Sequence, residues 1–216
     1  MCIRDRITTY LIYHDRLAIS SAVAFTNLLW KSIGTKHLLE PEWWLEEYVK
    51  VVREIEGDNS SYKPRFGDIR YIGPAWYFID KAITRAINER WSLYTLSNIV
   101  GSGAYLLETI PMVLYTLILY ADNPFKALTK SVTVSKDSDT IGAIVGYFLG
   151  ALHGIKGFPK HLLDPVIEDK LLPSTFLELI HKTEEYLLKQ KNRTFGKSNI
   201  VIDVTDTLIY SESKVL

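Results

Sequence analysis

The sequence predicts an all-α fold, built as a compact bundle of many helices. Apolar residues between positions 141 and 152 recur at i, i+3, i+4, i+7, i+8 and i+11, which is the spacing of one helical face. Proline and glycine stand where helices would begin and end, as at Pro41 and Gly57. The 216 residues suit one domain, and 47% hydrophobic residues can form a sizeable core.

The helices are placed by these punctuating residues. Gly34 ends the first, Pro41 opens the second and Pro74 starts the third, while Asn123 and Pro124 precede a later one. The predicted helical segments are residues 17–33, 41–56, 74–91, 97–120 (including a glycine loop), 125–132, 141–153, 164–171 and about 174–191. Residues 62–73 are expected to be irregular, and the β-rich residues 199–208 could form either a strand or a helix.

Charge and cysteine content exclude several kinds of protein. The 25 basic and 25 acidic residues cancel, so no overall field attracts DNA or an anionic membrane, and no nucleic-acid partner is expected. The single cysteine, Cys2, cannot form an internal disulfide, which fits a reducing compartment. With no signal-peptide pattern at the start, the sequence predicts a cytoplasmic location.

Two apolar stretches, residues 104–120 and 141–155, raise the alternative of a membrane hairpin. Glu108 and Pro111 interrupt the first stretch, and the second is shorter than the roughly 20 apolar residues that span a bilayer. Core helices of a compact domain explain both stretches better, so no membrane partner is expected.

A Lys-Asp-Ser-Asp-Thr segment, residues 136–140, directly precedes the helical run that starts at Ile141. It places the carboxylates of Asp137 and Asp139 and the hydroxyl of Thr140 at the positive end of one helix. Neighbouring carboxylates repel each other unless a cation lies between them, and Mg²⁺ or Ca²⁺ prefers such oxygen ligands. The alternative is ordinary helix capping, because Asp and Ser are favoured there.

Three segments together resemble a known family. The acidic segment is followed by a helix with glycine at every fourth position from Gly142 to Gly154, and then by Phe158 and Pro159. Upstream, Gly-Ser-Gly-Ala at residues 101–104 precedes Glu-Thr-Ile-Pro at 108–111, and Tyr-His-Asp-Arg stands at 13–16. In this order and spacing, the segments resemble the C-terminal signature of the ADP-ribosylglycohydrolase family.

The resemblance implies a function and a site. It implies a metal-dependent hydrolase that cleaves the glycosidic bond of ADP-ribose conjugates, either ADP-ribosylated protein or a small molecule. Two Mg²⁺ ions, with Mn²⁺ as a possible substitute, would hold the ribose. The implied metal ligands are Asp137, Asp139 and Thr140, and the implied substrate-binding residues are His14, Gly101, Ser102, Gly103 and Ala104. The alternative is a non-catalytic relative that binds ADP-ribose or serves as a crystallin-like structural protein.

The sequence also departs from the family pattern. The Gly-Asp-x-x-Gly and Thr-Asp-Asp motifs, which carry the other metal ligands and the assisting carboxylate in the family, are not found, so the catalytic residue stays unassigned. Residues 1–6 are interpreted as a non-native leader, residues 7–195 as a partial domain of C-terminal type, and residues 196–216 as a tail of uncertain structure. We expect the Asp137, Asp139 and Thr140 oxygens to meet in one hollow beside the 101–104 loop.

Overall fold

A computed structural model of the chain describes residues 2–33, 35, 39–67 and 69–167, and residues 178–180, 182–183, 185–186 and 189. Its described part is all-α, as predicted, and contains no β-strand. The helices are α1 (Cys2–Ile12), α2 (Arg16–Ser32), α3 (Pro41–Glu56), α4 (Ala75–Asn88), α5 (Leu93–Val100), α6 (Leu106–Tyr120), α7 (Pro124–Val134), α8 (Ser138–His153) and α9 (Lys160–Ile167).

Helix starts follow from local capping chemistry. Asp15, Ser92 and Asn123 each accept a hydrogen bond from the backbone N–H three residues later, at the starts of α2, α5 and α7. Proline is the first residue of α3 and of α7, where its missing N–H costs nothing. The predicted helix starts near residues 17, 41, 74 and 125 are confirmed to within two residues.

Helix α6 lies at the centre of the bundle. Every residue from 107 to 117 is buried, and α6 packs against α3, α4, α5, α7 and α8. A helix that is apolar on all sides has to be surrounded in this way. The prediction that residues 104–120 form a core helix is therefore confirmed. Among the described residues, no helix combines the length and apolar character that crossing a membrane requires.

An aromatic cluster joins three helices on one side of the core. The ring centroids of Trp44 (α3) and Phe148 (α8) are 5.5 Å apart, and Phe25 (α2) lies 5.5 Å from Phe148 and 5.6 Å from Tyr48. Trp44, Tyr48 and Phe148 have no solvent-exposed surface. This cluster fixes α8 against α2 and α3, and α8 carries the two aspartates at its start.

The glycines of α8 that have close neighbours contact side chains of α7, not the backbone of another helix. A Cβ at position 142 would lie 2.7 Å from Cγ1 of Val132 in α7, so Gly142 is required for this contact. Gly146 is only in ordinary contact with Leu128, and Gly150 borders open space. Of these glycines, only Gly142, at the start of α8, therefore lies in a close contact with a neighbouring helix.

Helix α5 was not predicted as a separate helix. The predicted segment 97–120 contains its last turn, but Gly101, with φ +101°, ends α5 and residues 101–105 separate it from α6. The eight residues of α5 are too few for the apolar spacing to show clearly. Helix α1, at residues 2–12, was also not predicted, and the expected boundaries at residues 6 and 195 stay predictions.

The chain divides into two compact units, residues 1–153 and 154–216. The described part of the second unit contains a short 3₁₀ turn at Ile155–Gly157 and α9, which begins four residues before the predicted start at 164. Those residues between 178 and 189 that are described are helical. Residues 199–208 lie outside the described residues.

Candidate functional site

The acidic segment, residues 136–140, is attached to the glycine loop, residues 101–104. The N–H of Asp137 donates to the Ser102 carbonyl at 2.9 Å, and the N–H of Lys136 donates to Ser102 Oγ at 3.0 Å. Helix α8 then begins at Ser138. The two segments that sequence reasoning selected, 34 residues apart, are therefore neighbours in the structure.

The two aspartates form a close acidic pair at the start of α8. The pKa of Asp139 lies below its ordinary value of 3.8, chiefly because of a side-chain hydrogen bond shared with Asp137 and also because of the N–H groups of Thr140 and Asp139. Asp137 Oδ2 is buried and has no hydrogen-bond partner among the described residues. A buried, unpaired carboxylate oxygen beside a second carboxylate is chemically suited to a hard divalent cation.

The pair is not a complete ligand set for a metal ion. No group of three or more His, Cys, Asp or Glu side chains converges within the described ranges. Asp139 and Thr140 are exposed and open to solvent. A cation held by Asp137 and Asp139 would therefore need hydroxyl, carbonyl, water or substrate oxygens as further ligands, and Thr140 stays a predicted ligand.

Glu108 explains both glycines of the glycine loop. Its Oε2 accepts a hydrogen bond from the N–H of Gly103 at 2.9 Å. A Cβ on Gly101 or on Gly103 would lie 2.6 Å or 2.9 Å from the same oxygen. The glycines thus allow a close approach, but the group they approach is a carboxylate of this chain, and the Gly103 amide is already used.

Ser102 is an internal link of the site. It is fully buried, and its hydroxyl lies 2.8 Å from Ser97 Oγ, which in turn donates to the Val134 carbonyl at 2.9 Å. Ala104 is exposed and Gly103 is partly exposed, so these two residues present the loop to solvent. Binding of ADP-ribose by residues 101–104 stays a prediction.

His14 lies on the exposed surface between α1 and α2. Its ring centroid is 4.5 Å from that of Tyr10. The next residue, Asp15, caps α2 and accepts a hydrogen bond from the Tyr62 hydroxyl at 2.9 Å. Among the described residues, no hydrogen bond or ring contact joins His14 to the glycine loop, and its substrate role stays a prediction. His153 bonds the Ala121 carbonyl at 2.6 Å, which is a packing contact.

The segment between α3 and α4 borders both loops. The Arg65 guanidinium lies 4.2 Å from the ring centroid of Tyr105, directly after the glycine loop. The Lys136 ammonium lies 4.0 Å from the ring centroid of Phe66. The pKa of Tyr105 lies above its ordinary value, chiefly because of burial. The positive charge of Arg65 partly offsets this effect, and the charges of Asp15 and Glu108 add to it. Arg65 and Phe66, in the segment between α3 and α4, therefore lie next to the end of the glycine loop and the acidic segment.

Sequence reasoning missed several residues of this arrangement. The sequence did contain a pattern that pointed to Glu108, because this residue begins the Glu-Thr-Ile-Pro segment, five residues after Gly103. The other residues carry no sequence signal, since only the fold brings them to the loops; they are Ser97, Tyr62, Arg65, Phe66 and Tyr105.

Comparison with known proteins agrees with the resemblance. The family model described as ADP-ribosylglycohydrolase matches residues 8–193. The uncharacterized protein YegU of Escherichia coli (strain K12) is 29% identical over 76 residues, which are 35% of this chain and 21% of YegU. The chain thus matches about a fifth of the length of that curated relative. No solved structure matches significantly. Since the family model covers most of its length, the chain belongs to the ADP-ribosylglycohydrolase family.

Proposed function

We propose that this chain contributes to a divalent-cation-dependent site that hydrolyses the glycosidic bond of an ADP-ribose conjugate. The observation that supports the proposal most directly is the buried, unpaired Oδ2 of Asp137 beside Asp139. In the leading version of the proposal the cation is Mg²⁺, with Mn²⁺ as a substitute, and the substrate is an ADP-ribosylated protein or a related small molecule.

The chain's own residues would hold and orient the reacting groups. Asp139, with a lowered pKa, is ionised at neutral pH and can bind a cation directly. The N–H bond to the Ser102 carbonyl holds the backbone of Asp137 beside the glycine loop. The Lys136 ammonium is engaged with the Phe66 ring. A bound divalent cation would orient the ribose hydroxyls and activate a water molecule for attack at an oxocarbenium-like centre.

Cation binding is tested by titrating the chain with Mn²⁺ and following electron paramagnetic resonance of the free ion. The Asp137→Asn/Asp139→Asn variant is expected to lose binding, because amides are weaker ligands for hard cations. The matched control is Asp122→Asn/Asp164→Asn, which removes two exposed carboxylates and should bind as the wild type does. Equal Mn²⁺ binding by the wild type and the first variant would contradict the proposed cation site.

Hydrolysis is tested by release of free ADP-ribose from an ADP-ribosylated protein in the presence of Mg²⁺, measured by chromatography. Release that requires both Mg²⁺ and the two aspartates would support the enzyme. ADP-ribose binding without any release would instead support the non-catalytic relative. A panel of arginine-, serine-, nucleotide- and DNA-linked substrates would identify the acceptor.

A further inference from the structure

A largely polar cleft lies between the α3–α4 segment and the end of the glycine loop. Its volume is about 570 Å³, and its walls are residues 61–65, Gly67, Ile69 and Tyr105. Tyr105 follows the glycine loop directly, so one wall of the cleft continues the candidate site. Neither the family match nor the acidic pair assigns a role to this cleft.

Two cationic side chains, Lys63 and Arg65, line the cleft. Lys63 and Arg65 are exposed, and neither lies within 4.0 Å of a carboxylate among the residues that the structure describes. Asp15, whose two oxygens accept bonds from the Ala18 N–H and the Tyr62 hydroxyl, is an acidic neighbour of the Tyr62 wall. Within the described residues, Lys63 and Arg65 therefore carry positive charges that no ion pair engages.

Contacts of Arg65 and Tyr62 also hold the walls of the cleft in place. The guanidinium of Arg65 is held over the Tyr105 ring. Tyr62 and Gly73 exchange two backbone hydrogen bonds of 2.7 Å and 3.1 Å, which close the segment into a loop. The Tyr62 hydroxyl, which burial chiefly keeps protonated by raising its pKa to about 12, anchors this loop to the start of α2. A cationic group held in advance, as Arg65 is, loses less freedom when it binds an anion.

We propose that Lys63 and Arg65 form a subsite for an anionic oxygen group, a phosphate or a carboxylate, of the molecule bound at the candidate site. Arg65 offers several N–H donors in a fixed plane, and Lys63 adds a point charge. The anion comes either from the phosphates of the ADP-ribose part or from an acidic residue near the acceptor. Only this choice of source rests on the proposed function, because anion binding itself needs no hydrolysis.

The test removes both cleft charges and measures anion binding without divalent cations. Inorganic pyrophosphate and ADP-ribose are titrated by calorimetry into the wild type and into Lys63→Gln/Arg65→Gln at low ionic strength. The variant is expected to bind pyrophosphate about tenfold or more weakly, because charge-assisted hydrogen bonds are lost. The control Lys81→Gln/Lys126→Gln removes two exposed charges outside the cleft and should change binding by about twofold at most.

Peptide probes identify the source of the anion. Loss of pyrophosphate and ADP-ribose binding assigns the subsite to nucleotide phosphates. Retained ADP-ribose binding, with a lost preference for ADP-ribosylated peptides that have acidic over neutral flanks, assigns it to the acceptor. If the double variant leaves pyrophosphate, ADP-ribose and peptide binding unchanged, or if the control weakens binding equally, the proposal is overturned.

The two proposals fail separately. Asp137→Asn/Asp139→Asn should keep pyrophosphate binding while losing Mn²⁺, and Lys63→Gln/Arg65→Gln should keep Mn²⁺ binding. Circular dichroism of each variant confirms that the helices are intact. Pyrophosphate binding that disappears with the two aspartates, in the absence of any divalent cation, would show that the cleft is not an independent anion subsite.

Discussion

At the scale of single residues, the candidate site depends on where glycine is allowed and where it is required. Gly101 combines a φ of +101° with a Glu108 oxygen 2.6 Å from the place of a Cβ. Gly150, in the last turn of α8, has open space around that position and an ordinary helical backbone. The same amino acid therefore stabilises the structure at one position and weakens it at the other.

Replacing Gly101 by Ala is expected to destabilise the chain by on the order of 3 kcal/mol, because the backbone conformation is strained for any other residue and Glu108 has to move. Replacing Gly150 by Ala is the matched control and should stabilise α8 by about 0.5–1 kcal/mol. Urea unfolding followed by circular dichroism measures both changes. Similar effects of the two substitutions would contradict the role given to Glu108.

At the scale of elements, two carboxyl groups, one buried and one partly exposed, join helices that are separate in sequence. Glu56, at the end of α3, is 1% exposed and accepts hydrogen bonds from the N–H groups of Ala75 at 2.6 Å and Trp76 at 3.1 Å. It therefore caps α4 from outside and fixes both ends of the segment that forms the cleft. Glu47 in α3 joins α2 by accepting from Lys31 at 2.5 Å and from Asn27 at 2.8 Å.

Replacing Glu56 by Ala is expected to cost about 3 kcal/mol, because two backbone donors at the start of α4 lose their acceptor. Glu56→Gln keeps one acceptor oxygen and should cost less. The exposed Glu54 provides the control, since Glu54→Ala should change stability by at most about 0.5 kcal/mol. Thermal unfolding compares the three variants, and an unaffected Glu56→Ala protein would show that Glu56 does not anchor α4.

The Glu47 contacts predict a dependence of stability on pH. Burial tends to raise the pKa of Glu47, but the bonds from Lys31 and Asn27 outweigh burial and lower it below 4.5. A carboxyl group whose pKa is lowered by folding stabilises above its unfolded pKa, and this contribution disappears as the pH falls through the folded value. Glu47→Gln should therefore be less stable than the wild type at pH 7, with the difference shrinking below about pH 4.5.

Urea unfolding at pH 7 and at pH 3 measures this difference. The neighbouring Glu46 is exposed, so Glu46→Gln serves as the control and should follow the wild type at both pH values. A Glu47→Gln deficit that stays constant down to pH 3 would point to lost packing instead of a lost charge.

At the scale of the whole molecule, the site rests on the aromatic cluster that holds α8 in place. Phe148 contacts Phe25 and Trp44, so it joins the helix that carries the aspartates to α2 and α3. Phe148 lies eight residues after the end of the acidic segment, on the same continuous helix. The packing of this aromatic cluster therefore also determines the position of the acidic pair.

Phe148→Ala is expected to destabilise the first unit by about 3–5 kcal/mol, because it leaves a large cavity in a fully buried cluster. Tyr94, which is 65% exposed, provides the control, and Tyr94→Ala should have little effect. Urea unfolding gives both values. A small loss for Phe148→Ala would mean that the cluster can close around the missing ring.

The sequence predicted most helices because their signals are local. Pro41 and Asn123 mark starts, and the apolar residues of α8 repeat at helical spacing, so neighbours in sequence carry the information. Helix α5 is too short for that signal. The cleft could not be predicted, because Arg65 meets Tyr105 and Phe66 meets Lys136 only after α3, α6 and α8 have packed. The residue types of the acidic segment identify it in the sequence. Its hydrogen bonds to Ser102 could not be predicted in this way.

That attachment makes ligand occupancy of the two loops thermodynamically reciprocal. Ser102 is bonded to the backbone of Lys136 and Asp137 while lying within the glycine loop. A ligand that displaced Ser102 would break the two hydrogen bonds that hold the backbone of Lys136 and Asp137, and a cation bound by the aspartates would favour the bonded arrangement. Each ligand then changes the affinity of the other by the same factor.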